Sequence, residues 1–295
     1  MNKFMSWLED SFVPKANQLF SRPFIAAFSS TMQKIIPFIL TGSVIYFYNV
    51  IKSFVPVLPD LSPILTYSFG IITVIVAFMM GNQLMEKLGH PDYVINAALC
   101  SVGTLLMVAM PLGENVDSIS SLMGNLGAAG IAVGLIVGLY VGTIFHLWGK
   151  LHFLQDSSCP DFVTAWVNTI VPNLITLGIA MVLVNVLKLD VYSLVIAAFM
   201  PLANIGQTLP GFILICLIPA FFYTLGISSW TFGAVTTPIF MAGIQANIDA
   251  VAAGGVATNI VTSESVFTMA FVTMGGMCAV LPGWGLDEPS PVLDD

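Results

Sequence analysis

The sequence predicts an all-α, polytopic bundle of transmembrane helices whose C-terminal half contains broken or re-entrant segments. Three observations carry this. Apolar residues make up 57% of the 295 residues and charged residues only 8%, where ordinary soluble domains carry roughly 25% charged residues. The few charges fall between long apolar runs, and a run of about 20 residues is enough to cross a bilayer. Beyond residue 189 the apolar runs are punctuated by Gly, Pro and polar residues. Broken backbone at membrane depth is tolerated only where protein buries it or it lines a cavity.

The elements follow in order. Residues 1–22 form an amphipathic segment in which Phe4, Trp7, Leu8 and Phe12 recur at helical spacing. Such a segment lies in the membrane interface or packs as a short cap on the bundle, outside the hydrocarbon in either case. It is not continuously apolar and so does not read as a cleavable signal peptide. Residues 23–188 read as an N-terminal transmembrane half and residues 189–295 as a second half with broken helices.

The first crossing is expected from about Phe24 to Val50, with Pro37 removing one backbone hydrogen bond and kinking it. A second is expected from about Ile64 to Gly81 and a third from about Val94 to Pro111. A polar stretch, GENVDSISS, follows with Glu114 and Asp117. The fourth crossing, about Gly127 to Trp148, is rich in glycine. Small-xxx-small spacing there allows close helix approach, and ordinary tolerance of glycine in membrane helices accounts for it equally well. KLHFLQDSSCPDF is too polar to span and reads as a surface connection. The fifth crossing is expected from about Ala165 to Leu187. VYSLVIAAFMPLANIGQTLPG is interrupted by Pro201, Asn204, Gln207 and Pro210. It reads as a short helix, a break, and the start of a crossing from about Phe212 to Leu225.

Composition excludes some functions. The net charge of −8 argues against a nucleic-acid partner, because binding phosphates takes Lys and Arg. Cys100, Cys159, Cys216 and Cys278 form no CxxC pair and read as packing residues. His90, His146 and His152 are too dispersed to read as a metal site. With the N-terminus in the cytoplasm, Lys3, Lys15, Arg22, Lys87 and Lys150 share the cytoplasmic side. Lys52, Lys188 and the acidic GENVDS loop then face outward. Lys34, inside the first crossing, is expected to meet a carbonyl or to snorkel rather than to bind substrate.

The chemistry is expected after residue 222. Gly226, Ser228, Ser229, Trp230, Thr236, Thr237 and Pro238 make a polar and aromatic cluster. NIVTSES sets Asn259, Thr262, Ser263, Glu264 and Ser265 between apolar stretches. Half-helix ends at such breaks offer free N–H and C=O groups to a polar ligand, and an intramembrane carboxylate is a functional candidate by default. Each residue also has a structural reading. Ser228 and Ser229 suit helix caps, and Trp230 suits an interfacial belt. Glu264 suits a helix start, and both of its readings stay open. Asp249, in the polar loop QANIDAVAAGG, reads as solvated.

The order of motifs resembles a known family. SRPFIAAFSSTMQKIIPFILTGSVIYFY is similar to the first-helix signature of the membrane permease component, IIC, of the bacterial sugar phosphotransferase system, of lactose/cellobiose/diacetylchitobiose type. The matching residues are Arg22, Ile36-Pro37-Phe38 and Gly42-Ser43. LGAAG at 126–130 resembles the family's LGxxG at the start of its fourth helix. LPGFILICLIPAFFYTLGISSW resembles the run into its GIHG signature, and NIVTSESVFTMAFVTMGG a stretch ending in Gly-Gly. The likeness reaches to about Pro282.

The resemblance implies a homodimer in a bacterial inner membrane, with dimer contacts from the N-terminal half. It implies that the C-terminal half holds a disaccharide such as cellobiose, diacetylchitobiose or lactose. A cytoplasmic IIB chain, charged from phosphoenolpyruvate through soluble carriers including IIA, would phosphorylate the sugar. The permease itself would bind no nucleotide, metal or other cofactor. Gly226, Ser228, Ser229, Trp230, Thr262 and Glu264 are then the expected sugar-binding residues. Serine hydroxyls and the carboxylate would bind sugar hydroxyls, and the indole would stack on an apolar sugar face.

Two departures from the family pattern stand out. Ser228 occupies the position of the GIHG histidine; it can hydrogen-bond but carries no proton at neutral pH. The family's Asn-Glu-Pro motif is met only by Asp287-Glu288-Pro289, too soon after the Gly-Gly pair. Glu288 is a displaced counterpart or a chance match in an acidic tail, and chance is the favoured reading. The helices that follow in the family are expected to be missing. These departures raise an alternative, a truncated or non-transporting relative acting as a sugar sensor or partner subunit. A facilitator working without phosphorylation is a third reading.

Overall fold

The structure, a computed structural model, describes residues 7–55, 57–110, 119–151, 161–224, 232–252, 254–262 and 265–266. All regular structure among them is helical. A π-helical turn, Leu8–Phe12, leads into α1 (Val13–Phe20). α2 (Pro23–Phe54) starts with proline in its first turn, where no N–H is needed. It runs unbroken through Pro37, so the expected kink does not interrupt the helix. α3 (Ser62–Ser68) passes through a 3₁₀ turn into α4 (Ile72–Lys87). α5 (Val94–Ala109), α6 (Ile119–Leu126), α7 (Ile131–Gly149) and α8 (Asp161–Met181) follow, the last extended by a π-helical turn, Val182–Val186. α9 (Val191–Gly206), α10 (Leu209–Thr224) and α11 (Gly233–Ala252) complete the described helices.

Four described segments are long and apolar enough to cross a membrane: Ser62–Lys87, Pro91–Ala109, Ile131–Gly149 and Val163–Val186. α9 and α10 pass the same test only together, and they are bent by 93° at their junction. The chain is a multi-pass membrane protein with a broken span or re-entrant pair of helices in its second half.

Three expectations are corrected. The second crossing does not stop at Gly81; α4 carries on to Lys87. Gln83 Nε2 donates to Asn82 Oδ1 at 2.9 Å and to Glu86 Oε2 at 2.8 Å. Thr236, Thr237 and Pro238 lie inside α11 rather than at a break, and the Thr236 hydroxyl donates to the Phe232 carbonyl at 3.1 Å. The expected polar loop around Asp249 is also helical as far as Ala252.

Glycine decides how the bundle packs. Gly134, Gly138 and Gly142 line the face of α7 turned to α4. A Cβ would lie 2.8 Å from the Thr73 carbonyl oxygen at Gly134, 2.5 Å from Met80 Cβ at Gly138 and 2.5 Å from Leu84 Cδ2 at Gly142. The spacing therefore serves close approach of two helices, which small residues permit in membranes. The core around this contact holds Met80, Leu84, Leu105, Val133, Val141 and Phe145, each buried. Buried hydroxyls return to the backbone: Ser101 to the Ala97 carbonyl at 2.7 Å and Thr104 to that of Cys100 at 2.8 Å. Without water nearby, each would otherwise be costly. A separate, smaller core joins Ile239, Phe240 and Val261, with Phe212, Ile215 and Val266 against it.

Candidate functional site

The broken half supplies the candidate site. α9 ends at Gly206, and Gln207 and Thr208 form the corner. The Thr208 hydroxyl accepts from the Gly211 N–H at 3.2 Å and donates to the Ile205 carbonyl at 2.6 Å. Thr208 thereby caps α10, and Pro210 sits in the first turn, where it is tolerated. Pro201, expected to interrupt this region, lies inside α9.

After α11 the chain returns without regular secondary structure from Gly255 to Val261. Two carboxamides hold it. Gln207 Nε2 donates to the Val261 carbonyl at 2.9 Å, and Gln207 Oε1 accepts from the Val261 N–H at 2.9 Å. Asn247 Nδ2 donates to the Asn259 carbonyl at 2.8 Å, and Asn247 Oδ1 accepts from the Asn259 N–H at 2.9 Å. Facing one N–H and one C=O of a single residue fixes the orientation of each amide. The Val261 side chain is buried and Ile260 exposed.

Thr262 follows at once. Its hydroxyl accepts from the Ser265 N–H at 3.3 Å, and its own N–H donates to the Ser265 hydroxyl at 3.1 Å. This reciprocal pair opens a helical turn in the manner of a capping box. The structure thus brings Thr262 beside the α9–α10 corner, although Gln207 and Val261 are far apart in sequence. Gly226, Ser228, Ser229, Trp230, Ser263, Glu264 and Glu288 lie outside the described residues.

The residues flanking the Gly226–Trp230 stretch meet. The rings of Phe222 and Phe232 are 5.2 Å apart. Phe20 of α1 packs on both, at 5.6 and 5.5 Å, and Phe12 lies 5.7 Å from Phe222. The N-terminal segment is therefore packed on the bundle, at the end of α10. Phe232 and Gly243, which abuts Val261, are eleven residues apart, roughly 16 Å of helical rise.

Several features stand apart from this region. A cavity of about 160 Å³ between α5, α7, α8 and α9 is lined by Val108, Ile136, Leu183, Val184 and Val191, with Tyr140. The Tyr140 hydroxyl already donates to the Thr176 carbonyl at 3.0 Å. The cavity lacks the convergent polar groups a sugar requires. His90 and His146, read as dispersed, are in contact: Nε2 of one lies 2.8 Å from Nδ1 of the other. Among the described residues, no group of three or more His, Cys, Asp or Glu is placed to hold a metal ion. The Lys34 ammonium lies 3.2 Å from the Glu86 carboxylate, a partner other than the expected carbonyl. Lys52 pairs with Asp60 at 3.1 Å in the connection between α2 and α3. Asp60 also accepts from the hydroxyl and the N–H of Ser62, at 2.8 and 3.1 Å. These bonds from Ser62, with the Lys52 ammonium, hold its carboxyl down at about 2.

Sequence reasoning missed Gln207 and Asn247 as holding residues. The signal was present in part, since a Gln at a break and an Asn in an apolar helix each need a partner, but nothing local identified which.

No protein-family model matches the chain, and no curated protein matches it in sequence. Among solved structures it is similar to the crystal structure of the transporter ChbC, the IIC component from the N,N'-diacetylchitobiose-specific phosphotransferase system. The TM-score is 0.70 at 18% sequence identity, and the match covers 88% of this chain and 66% of that one. This chain thus shares its fold with that transporter over most of its own length.

Proposed function

We propose that the protein is a sugar permease of the phosphotransferase type. It would import a disaccharide such as cellobiose, diacetylchitobiose or lactose, with phosphorylation by a separate cytoplasmic IIB chain. The observation that carries this reading is the fold shared with ChbC, reached independently of the motif order that points to the same family. The 93° corner between α9 and α10, with the segment that Gln207 binds beside it, supports it further. Broken helices of this kind place backbone groups where a polar solute can use them.

In this reading the sugar is bound by Gly226, Ser228, Ser229, Trp230, Thr262 and Glu264. The N-terminus lies in the cytoplasm, and two copies associate through the N-terminal half. Glu264→Gln and Trp230→Ala are expected to weaken sugar binding; unchanged affinity in both removes this pocket.

A second reading, a non-transporting sugar sensor or partner subunit, is favoured by Ser228 at the histidine position of the GIHG signature. Sugar-dependent phosphate transfer from a IIB chain to a bound disaccharide rules it out. Binding without transfer supports it.

A further inference from the structure

We infer that Gln207 and Asn247 are positioning residues for the sugar site. Their carboxamides act as strand partners for Asn259 and Val261 and so fix where Thr262 stands beside the α9–α10 corner. The inference rests on the permease reading and adds to it two residues with no expected contact to sugar.

Five observations converge. Each carboxamide binds both the N–H and the C=O of one residue, with all four distances between 2.8 and 2.9 Å. In an antiparallel ladder, paired residues exchange two bonds in the same way. Asn259 and Val261 are two apart, so a single residue, Ile260, separates the two gripped positions. On the adjoining helix, a Cβ at Gly243 would lie 2.7 Å from Gln207 Nε2 and 2.7 Å from the Val261 carbonyl oxygen. A side chain there would displace the pair, so glycine leaves room for it. The Val261 side chain is buried against Ile239 and Phe240, so the clamp and the small core fix one residue from two directions. The Ser265 hydroxyl binds the Ile260 carbonyl, which engages the intervening residue as well.

The geometry makes the role specific. Gln207 sits in the corner of the broken span and Asn247 on α11, and both grip the segment that ends at Thr262. A displacement of the corner would carry Thr262 with it. A carboxamide is required because it offers a donor and an acceptor together. A carboxylate offers acceptors only, whereas a protonated carboxyl regains a donor.

The test uses the full chain in detergent. Hydrogen–deuterium exchange is followed over residues 255–262, alongside calorimetric titration with diacetylchitobiose, cellobiose and lactose. Gln207→Glu and Asn247→Asp are each expected to lose about tenfold in protection at about pH 8 and to regain it near pH 4, where the carboxyl protonates. Sugar affinity should fall and recover in parallel, by about fivefold or more. Gln207→Leu, which has no donor at either pH, should stay unprotected and weak throughout. A residue that merely fills space would show no such titration. Unchanged protection in both acidic variants overturns the clamp. Lost protection with unchanged affinity overturns the positioning role. The permease reading fails in the wild-type protein, as binding of none of the three sugars, and the positioning role falls with it; the clamp itself fails only in the variants.

Discussion

The Lys34 ammonium on α2 lies 3.2 Å from the Glu86 carboxylate on α4, and farther along α2 the Lys52 ammonium lies 3.1 Å from Asp60. The two lysines are separated by eighteen residues of unbroken helix, roughly 27 Å of rise. That span is close to the ~30 Å thickness of a bilayer's hydrocarbon core. A charge pair thus stands near each edge of the apolar stretch of α2.

The Lys34–Glu86 pair is about half exposed on both sides, 48% and 52%. Such pairs contribute about 0–1 kcal/mol. Lys34→Met and Glu86→Gln should therefore each lower stability by no more than about 1 kcal/mol. Charge reversal at either position alone should cost more than the double reversal, which restores the attraction. Thermal unfolding in detergent, run as a double-mutant cycle, measures this.

The α4–α7 contact is intolerant of volume. Gly138→Ala places a methyl 2.5 Å from Met80 Cβ on a packed helix, and overpacking of this kind costs about 1–3 kcal/mol. Gly124→Ala is the control, because nothing lies within 4 Å of a Cβ there. It should be neutral or stabilise by up to about 1 kcal/mol, since alanine favours helix. Equal melting temperatures for the two variants would contradict the packing described.

Asp60 makes the connection between α2 and α3 acid-sensitive. Its carboxyl is held at about 2, below the unfolded value of about 3.9. A depressed folded value means the group's contribution is complete above the unfolded value and fades as pH falls from there toward 2. The stability difference between wild type and Asp60→Asn should thus be constant above about pH 5 and shrink between about pH 4 and pH 2. Melting curves across this range give the answer; a difference that grows on acidification would contradict the assignment.

Phe222 ties the N-terminal segment to the second half of the chain. Its ring meets those of Phe12, Phe20, Phe221 and Phe232. Aromatic pairs contribute about 0.5–1.5 kcal/mol each beyond area burial, so Phe222→Ala should destabilise by about 2 kcal/mol. It should also speed tryptic cleavage at the exposed Lys15, as α1 loosens from α10. Unchanged cleavage with unchanged stability would remove this tie.

What the sequence made legible was the part controlled by hydropathy. Runs of apolar residues placed the crossings at Pro91–Ala109, Ile131–Gly149 and Val163–Val186 to within a few residues, because each run must satisfy its own backbone in the membrane. The broken span was legible too, through Gln207 and Pro210 at the corner. Reading failed where a polar residue has a distant partner. Glu86 looked like the far side of a boundary, yet Lys34 keeps it within α4. Asn247 looked like loop, yet Asn259 accommodates it in a helix. Glycine spacing in α7 had two readings until Met80 and Leu84 were seen against it. His90 and His146 meet only because α7 returns beside the turn before α5. Pattern reports the local chain, and these contacts are long-range.

The most direct measurement is calorimetric titration of the purified, detergent-solubilised protein with cellobiose, diacetylchitobiose and lactose. The account predicts saturable binding of at least one of them, lost or weakened in Glu264→Gln and Trp230→Ala. Folded protein that binds none of the three would contradict it.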